Sequence, residues 1–281
     1  MSDIYEHIAA HYSSMSKTQR KIADYIIANK SSVSFLNVSK LAKLSGVSEA
    51  SIIRFSTFLG FSGWPELQQH LQASTQMQLS MKERLTMSYE VYDNKDSGIS
   101  EVFKDDINNI QETLNNINMD TFYSTVNALA NADKIVIACG RSANALGIFL
   151  QYYLNIICGN ATLINSINGE ECVLQSLKKD DVFIGITFSK YTKSTVALME
   201  YANKKDCITV SITDNVMSPI VPYSRYSFYT ETKMPTFLDS FTAPLTLINA
   251  LITYLGRVEN KNIENRMSQL DDMWTNLDIF E

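Results

Sequence analysis

The sequence predicts an α/β protein: an N-terminal all-α domain, then a C-terminal three-layer α/β/α domain with a mostly parallel five-stranded sheet. Three observations carry this. Residues 39–60 hold two short apolar patterns at helical spacing, separated by a single glycine. From Ile135 onward, short β-branched runs alternate with helix-length stretches, as in parallel strands joined by crossover helices. Charge divides the same way: residues 1–77 carry a net +2 and the remainder −8, within a total of −6. A mildly basic head on an acidic body fits a small nucleic-acid-binding module joined to a part that does not touch nucleic acid.

At 281 residues the chain is long enough for two domains. With 45% apolar and 19% charged residues it has the composition of a soluble globular protein with a sizeable core. The opening Met-Ser-Asp-Ile-Tyr-Glu-His lacks the basic start and apolar run of a signal peptide, and no apolar run is long enough to span a bilayer. Cys139, Cys158, Cys172 and Cys207 form no C-x-x-C pair and read as reduced core thiols. A cytoplasmic protein with no membrane partner is expected.

Residues 1–77 read as all helix. Ser16 and Gln19 make a capping box for a helix carrying Ile22, Ala23, Ile26 and Ile27. Ser31 to Val38 is a short connection with room for one helical turn. Ser39 is the expected cap of the next helix, with Leu41, Ala42 and Leu44. Gly46 supplies the positive φ that a tight inter-helix turn demands. Ser48 then opens a second helix with Ile52, Phe55, Phe58 and Leu59, stopped by Gly60. Small, Gly and branched apolar residues at these offsets read as a helix-turn-helix; the alternative is an ordinary helical hairpin. A last helix starts near Trp64 and Pro65, pinned by Leu67 and Leu71. Residues 78–100 are polar and read as a linker with helix at its start. The second domain, 101–281, opens with helices at 101–116 and 120–131. Strands are expected at 135–138, 161–164, 182–187, 208–213 and 226–230. Helices are expected between them at 143–158, 170–177 and 193–204, and after them at 240–255 and 261–276.

In an open parallel sheet, ligands bind beyond the carboxyl ends of the strands. Two such ends are rich in hydroxyls: Ala138-Cys139-Gly140-Arg141-Ser142, and Thr187-Phe188-Ser189-Lys190-Tyr191-Thr192. Hydroxyls and backbone N–H groups at a helix start form a cradle for phosphate. The alternative is that Ser142 and Thr192 only cap their helices; two such loops in one sheet favour a ligand pocket.

These residues resemble a known family. Residues 16–72, through Gln-Arg-Lys-Ile-Ala-Asp-Tyr-Ile-Ile, Gly-Val-Ser-Glu-Ala-Ser-Ile-Ile-Arg-Phe and Leu-Gly-Phe-Ser-Gly-Trp-Pro-Glu-Leu, are similar to the N-terminal domain of RpiR-type transcriptional regulators. Residues 105–257 resemble the sugar isomerase (SIS) domain, which such regulators use to sense phosphorylated sugars. The resemblance implies a SIS-like effector domain whose contacts come from a G-x-G-x-S loop and an S-x-S-G-x-T loop. Ser142 matches the serine of the first, and Thr187, Ser189 and Thr192 match the hydroxyl positions of the second. Ala138 and Lys190 stand where glycines are expected. Lys190 either adds a cation to the phosphate site, fills its space, or refuses the loop's conformation. The expected effector-binding set is Gly140, Arg141, Ser142, Thr187, Ser189, Lys190 and Thr192.

DNA contacts are expected from the helix opened by Ser48, with Glu49, Ser51 and Arg54 near its exposed face and Arg54 suited to a bidentate contact with guanine. Lys17, Arg20, Lys21, Lys40 and Lys43 are candidates for phosphates, each with a solvated surface charge as its alternative. His7, His11 and His70 all lie in the N-terminal domain, so the sheet domain has no imidazole for acid–base work and no metal cluster. Glu170 and Glu171, an adjacent pair, and Glu231 are the carboxylates an isomerase would draw on; a pair at a helix start is more often a dipole-favoured surface feature. No catalytic residue, cofactor or metal is expected. The sequence thus points to a DNA-binding regulator whose partners are an operator duplex, a sugar-phosphate effector and a second copy of itself, as homodimer or homotetramer. A sugar-phosphate isomerase, or a regulator whose second domain only oligomerises, is the alternative. Leu245, Ile248, Leu251 and Leu255 are expected in the core.

Overall fold

A computed structural model describes residues 4–75, 80–92, 96–165, 170–258 and 261–280. The chain divides into two compact units, Met1–Asp105 with Lys233–Asp239, and Asp106–Thr232 with Ser240–Glu281. Among the described residues, no helix is long and apolar enough to cross a membrane.

The first unit is helical: α1 (Ile4–His11), α2 (Lys17–Ala28), the single turn α3 (Lys30–Val33), α4 (Val38–Ser45), α5 (Glu49–Phe58), α6 (Trp64–Thr75) and α7 (Met81–Val91). Its core collects Ile22, Ala23, Ile26, Leu41, Ala42, Ile52, Phe55, Leu67 and Leu71. Burying these apolar side chains is worth about 1.5–3 kcal/mol for each large one. Trp64 is anchored as well as buried, its indole N–H donating to the Leu36 carbonyl at 3.1 Å. Ile27, Leu44 and Phe58 lie on the outer faces of their helices.

Two sequence expectations change here. Asn37 caps α4, its side chain accepting from the Lys40 N–H at 2.8 Å, and Ser39 is the second residue of the helix, within its first turn. The buried pair Leu36 and Leu41 flanks this cap as N′ and N4 of a hydrophobic staple, which selects Asn37 over Ser39. Residues 81–91 are a full helix whose Met87 and Val91 enter the first unit's core, so this stretch is packed structure as well as connection. The buried Arg84 donates to Asp239 Oδ1 at 2.7 Å and to the Leu238 carbonyl at 2.9 Å, holding segment 233–239 within the first unit.

The helix α8 (Asp96–Asn116) contributes residues to both units. Then follow α9 (Met119–Asn131), β1 (Ile135–Cys139), α10 (Asn144–Ile157), β2 (Ala161–Ile164), β3 (Val182–Ile186), α11 (Lys193–Lys204), β4 (Ile208–Thr213), β5 (Tyr226–Tyr229), α12 (Thr242–Gly256) and α13 (Lys261–Asn276). Residues 170–176, expected as α-helix, form a 3-10 segment. All strands are parallel, in the order β2-β1-β3-β4-β5. Side chains alternate across the sheet as its period of two requires. Ile135, Ile137, Ile184 and Ile186 join α9, α10 and α12 on one face. Val136, Ala138 and Phe183 join α11 on the other. Ile248, Leu251 and Leu255 are core, with Leu245 packed against them.

Candidate functional site

The strand order fixes where the two hydroxyl loops fall. The chain steps from β1 outward to β2 and then back across to β3, so the order reverses between β1 and β3. In doubly wound sheets, that crevice is where ligands bind. β1 and β3 end level, Cys139 opposite Ile186, so Gly140 and Thr187 begin their loops side by side. The loops also touch: a Cβ on Gly140 would lie 3.0 Å from the Thr192 Cγ2, a spacing that favours glycine there. The sequence places both loops at strand ends; the fold brings them together.

The hydroxyls in these loops are not spent on capping. The cap position of α10 is Ala143, one residue beyond Ser142, and no side chain bonds there. Thr192 occupies the cap position of α11 without a side-chain cap bond. Its backbone N–H donates instead to the buried Thr187 Oγ1 at 3.1 Å, closing the second loop on itself. Arg141 and Lys190, one in each loop, adopt left-handed backbone conformations with φ of 57° and 63°. Both side chains are exposed. Lys190 therefore accepts the conformation expected of a glycine. Ala138 is fully buried in the core between the sheet and α11, so its methyl serves packing rather than the loop.

Behind the second loop lies a polar network absent from the sequence-based set. The Tyr191 hydroxyl donates to Asp214 Oδ1 at 2.9 Å and accepts from Asn215 Nδ2 at 3.0 Å. The Thr213 hydroxyl adds bonds to Asp214 at 3.2 Å and Ser218 at 2.7 Å. Burial, with the Asp214 carboxylate beside it, pushes the Tyr191 phenol well above its usual range. Burial also pushes the Cys139 thiol up to about 12 and those of Cys158 and Cys207 to about 11, so all three stay protonated and poorly nucleophilic. Glu231 follows β5, its backbone N–H bonded to Thr113 Oγ1. The side chains of Glu170 and Glu171 lie outside the described residues.

In the first unit, Gly46 ends α4 with φ 66° and turns the chain into α5. A cleft of about 300 Å³ opens beside this turn, lined by Lys17, Thr18, Lys21, Gly46, Val47, Ser48 and Ser51. Two lysines and several hydroxyls thus meet where α2 and α5 both begin. Ser48 is at the cap position of α5 but makes no cap bond; its hydroxyl pairs with the Ser51 hydroxyl at 2.9 Å. Arg54 reaches back to Ser51 Oγ at 3.3 Å. Glu49, Ala50, Ile53, Arg54 and Thr57 form the exposed side of α5, and Lys43 is exposed on α4. Two of the basic candidates are engaged elsewhere. Lys40 turns its ammonium to the Val91 carbonyl and lies 4.0 Å from Glu101. Arg20 donates to the Ser13 carbonyl at 3.1 Å and sits over the Tyr12 ring.

Known proteins agree with this architecture in both parts. The profile of the helix-turn-helix domain, rpiR family, matches residues 2–78, and that of the SIS domain matches residues 128–254. An uncharacterized HTH-type transcriptional regulator of Caldanaerobacter subterraneus is 28% identical over 272 residues, covering 94% of either chain. Among solved structures, the sugar isomerase domain of an RpiR transcription factor from Sphaerobacter thermophilus superposes with a TM-score of 0.59 at 22% identity. It covers 62% of this chain and 98% of that one. The Vibrio vulnificus NanR protein, solved with ManNAc-6P, gives a TM-score of 0.59 at 18% identity over 98% of both chains. With the helix-turn-helix and SIS matches in this order along one chain, the protein belongs to the RpiR-type transcriptional regulators, DNA-binding regulators that carry a SIS domain.

Proposed function

We propose that the sheet domain senses a phosphorylated sugar and that its binding alters the grip of the helix-turn-helix on operator DNA. The observation that carries this reading is the pair of loops after β1 and β3, side by side at the reversal of strand order with their hydroxyls uncommitted to caps. Ser142, Thr187, Ser189 and Thr192 would hold the phosphate, with the N-terminal N–H groups of α10 and α11 and the cations Arg141 and Lys190. That NanR was solved with ManNAc-6P supports the ligand class. A sensor rather than an enzyme is the reading that the curated relatives support, since those covering 94% of this chain are described as HTH-type transcriptional regulators.

On DNA, the exposed side of α5 enters the major groove. Arg54 suits guanine, while Ala50 and Ile53 offer apolar surface to thymine methyls. A backbone phosphate seats in the cleft between Lys17, Lys21, Ser48 and Ser51, fixing register. A symmetric dimer presents two such heads to two half-sites. The sugar phosphate shifts the balance between head arrangements only through a difference in its affinity for them. Calorimetry with a panel of hexose 6-phosphates, including ManNAc-6P, tests the sensor. One or more should bind and should change affinity for a duplex selected by the full-length chain from a random library. No binder in the panel, or turnover of any member at ordinary enzyme rates, would sink the reading.

A further inference from the structure

The second loop contains an unusual residue choice. A lysine occupies a backbone conformation, φ 63°, that is free to glycine and costs an L residue steric energy. Such a conformation persists only where the surroundings over-determine it. Three attachments do this for residues 187–192. At one end, Thr187 Oγ1 receives the Thr192 N–H at 3.1 Å. Phe188 is buried and its ring lies 5.2 Å from that of Phe241. Tyr191, the residue after Lys190, is tied by its hydroxyl to Asp214 and Asn215 beyond β4. The first two fix the ends of the loop and its apolar anchor; the third acts directly beside the left-handed residue. The phenol's raised pKa keeps it a donor to Asp214 across the physiological range.

We propose that Tyr191 is a positioning residue of the effector loop, its hydroxyl tie to Asp214 and Asn215 holding Lys190 in the left-handed conformation that a glycine would adopt unaided. The tie lets this chain carry a cation where a glycine is expected, and so directs the loop toward dianionic phosphate esters over neutral sugars. Because the Thr192 methyl lies against Gly140, a shift of the second loop also disturbs the first.

The ligand part of this inference rests on the sugar-phosphate reading; the positioning part does not. Two readouts on the full-length chain separate them, each in wild type, Tyr191→Phe, Lys190→Gly and the double variant. For the panel member that binds best, Tyr191→Phe should weaken binding about tenfold, as for loss of a hydrogen bond to a charged group. In the Lys190→Gly background the same change should cost less than about twofold, since glycine needs no support. Lys190→Gly alone should narrow the preference for the sugar phosphate over the free sugar. Amide exchange of Thr192, read without ligand, should speed up in Tyr191→Phe and much less in the double variant. Equal effects of Tyr191→Phe in both backgrounds, or none in either, would overturn the positioning role. A panel in which nothing binds would sink the effector reading, while Thr192 exchange would still decide what Tyr191 does.

Discussion

Polar residues open helices of this chain in two contrasting ways. At Ser16, Asn37, Ser80 and Asn118 the side chain accepts a backbone N–H of the first turn, and at Ser16 and Ser80 the third helical residue returns the bond. At Ser48 and Thr192 a hydroxyl stands at the same position and makes no such bond. The sequence carries part of this distinction. Ser16 and Ser80 are followed three residues later by Gln19 and Glu83, whereas Ser48 is followed by Ser51, which lacks the reach of a capping box. The committed starts serve the fold. The uncommitted ones lie at the head of the proposed DNA-reading helix and in the loop that should hold an anion, where open N–H groups and the helix dipole attract negative charge.

The sharpest way to break this comparison is at the DNA head. Lys17→Ala with Lys21→Ala empties the cleft beside Ser48 of its cations. Affinity for the selected duplex should fall about tenfold to a hundredfold, and the salt dependence should flatten by about two counterions. A fluorescence-anisotropy titration at several salt concentrations measures both. An unchanged salt slope would remove the cleft from the interface. Lys40→Ala serves as the contrast, because its ammonium is already occupied by Val91 and Glu101, and its effect on the salt slope should be small.

The same separation should appear at the effector loops. Thr192→Val keeps the methyl that packs on Gly140 and replaces the hydroxyl with a second methyl. Sugar-phosphate affinity should drop about tenfold. Stability should stay within about 0.5 kcal/mol of wild type, since no cap is lost. A loss of stability near that of a cap deletion would mean that this hydroxyl serves the helix after all.

These expectations draw on features of unequal legibility in the sequence. Ile22, Ile52, Phe55, Leu67 and the strand residues announce themselves because burial imposes a period that any window of the chain displays. The turn at Gly46 is as plain, since the residue type and the backbone need coincide. Strand order is not local. Nothing between Ile135 and Tyr229 says that β3 returns to the far side of β1, yet that crossing is what joins Ser142's loop to Thr187's. Polar partners are equally remote in sequence. In the sequence Lys40 reads as an exposed cation because Val91 and Glu101 are distant, and Arg84 reads as linker because Asp239 is farther still. Tyr191 lies inside the second hydroxyl loop, but its role depends on Asp214 in the next crossover. Residues that bury themselves are readable one at a time; residues that act in pairs need the topology.

Stability offers a smaller test of the two kinds of helix start. Ser16→Ala removes a bonded cap and should cost about 1 kcal/mol. Ser48→Ala removes only a hydroxyl paired with Ser51 and should cost less than about 0.5 kcal/mol while weakening DNA binding. Urea unfolding monitored by circular dichroism compares them. Equal costs would erase the distinction at its clearest pair.

The smallest expected effect is electrostatic and tests the committed class alone. The Glu83 carboxylate accepts from the Ser80 hydroxyl at 2.7 Å and the Ser80 N–H at 2.8 Å, and these bonds lower its pKa from an ordinary value of 4.5. A carboxyl whose folded pKa is depressed stabilises the fold above its unfolded pKa and loses that contribution as pH falls through the lower folded value. The window therefore lies at and below about pH 4.5, and neutral pH keeps the full contribution. Glu83→Gln retains a side chain able to close a capping box but has no proton to gain. Its unfolding midpoint should fall less steeply than that of wild type as the pH is lowered from about 5 to 3. The Ser48→Ala variant should follow the wild-type curve over the same range, because Ser48 holds no carboxylate there. Parallel curves for Glu83→Gln and wild type would mean that the Ser80 box is too exposed for its charge to matter to folding. The difference between bonded and open helix starts would then rest on hydrogen bonding alone.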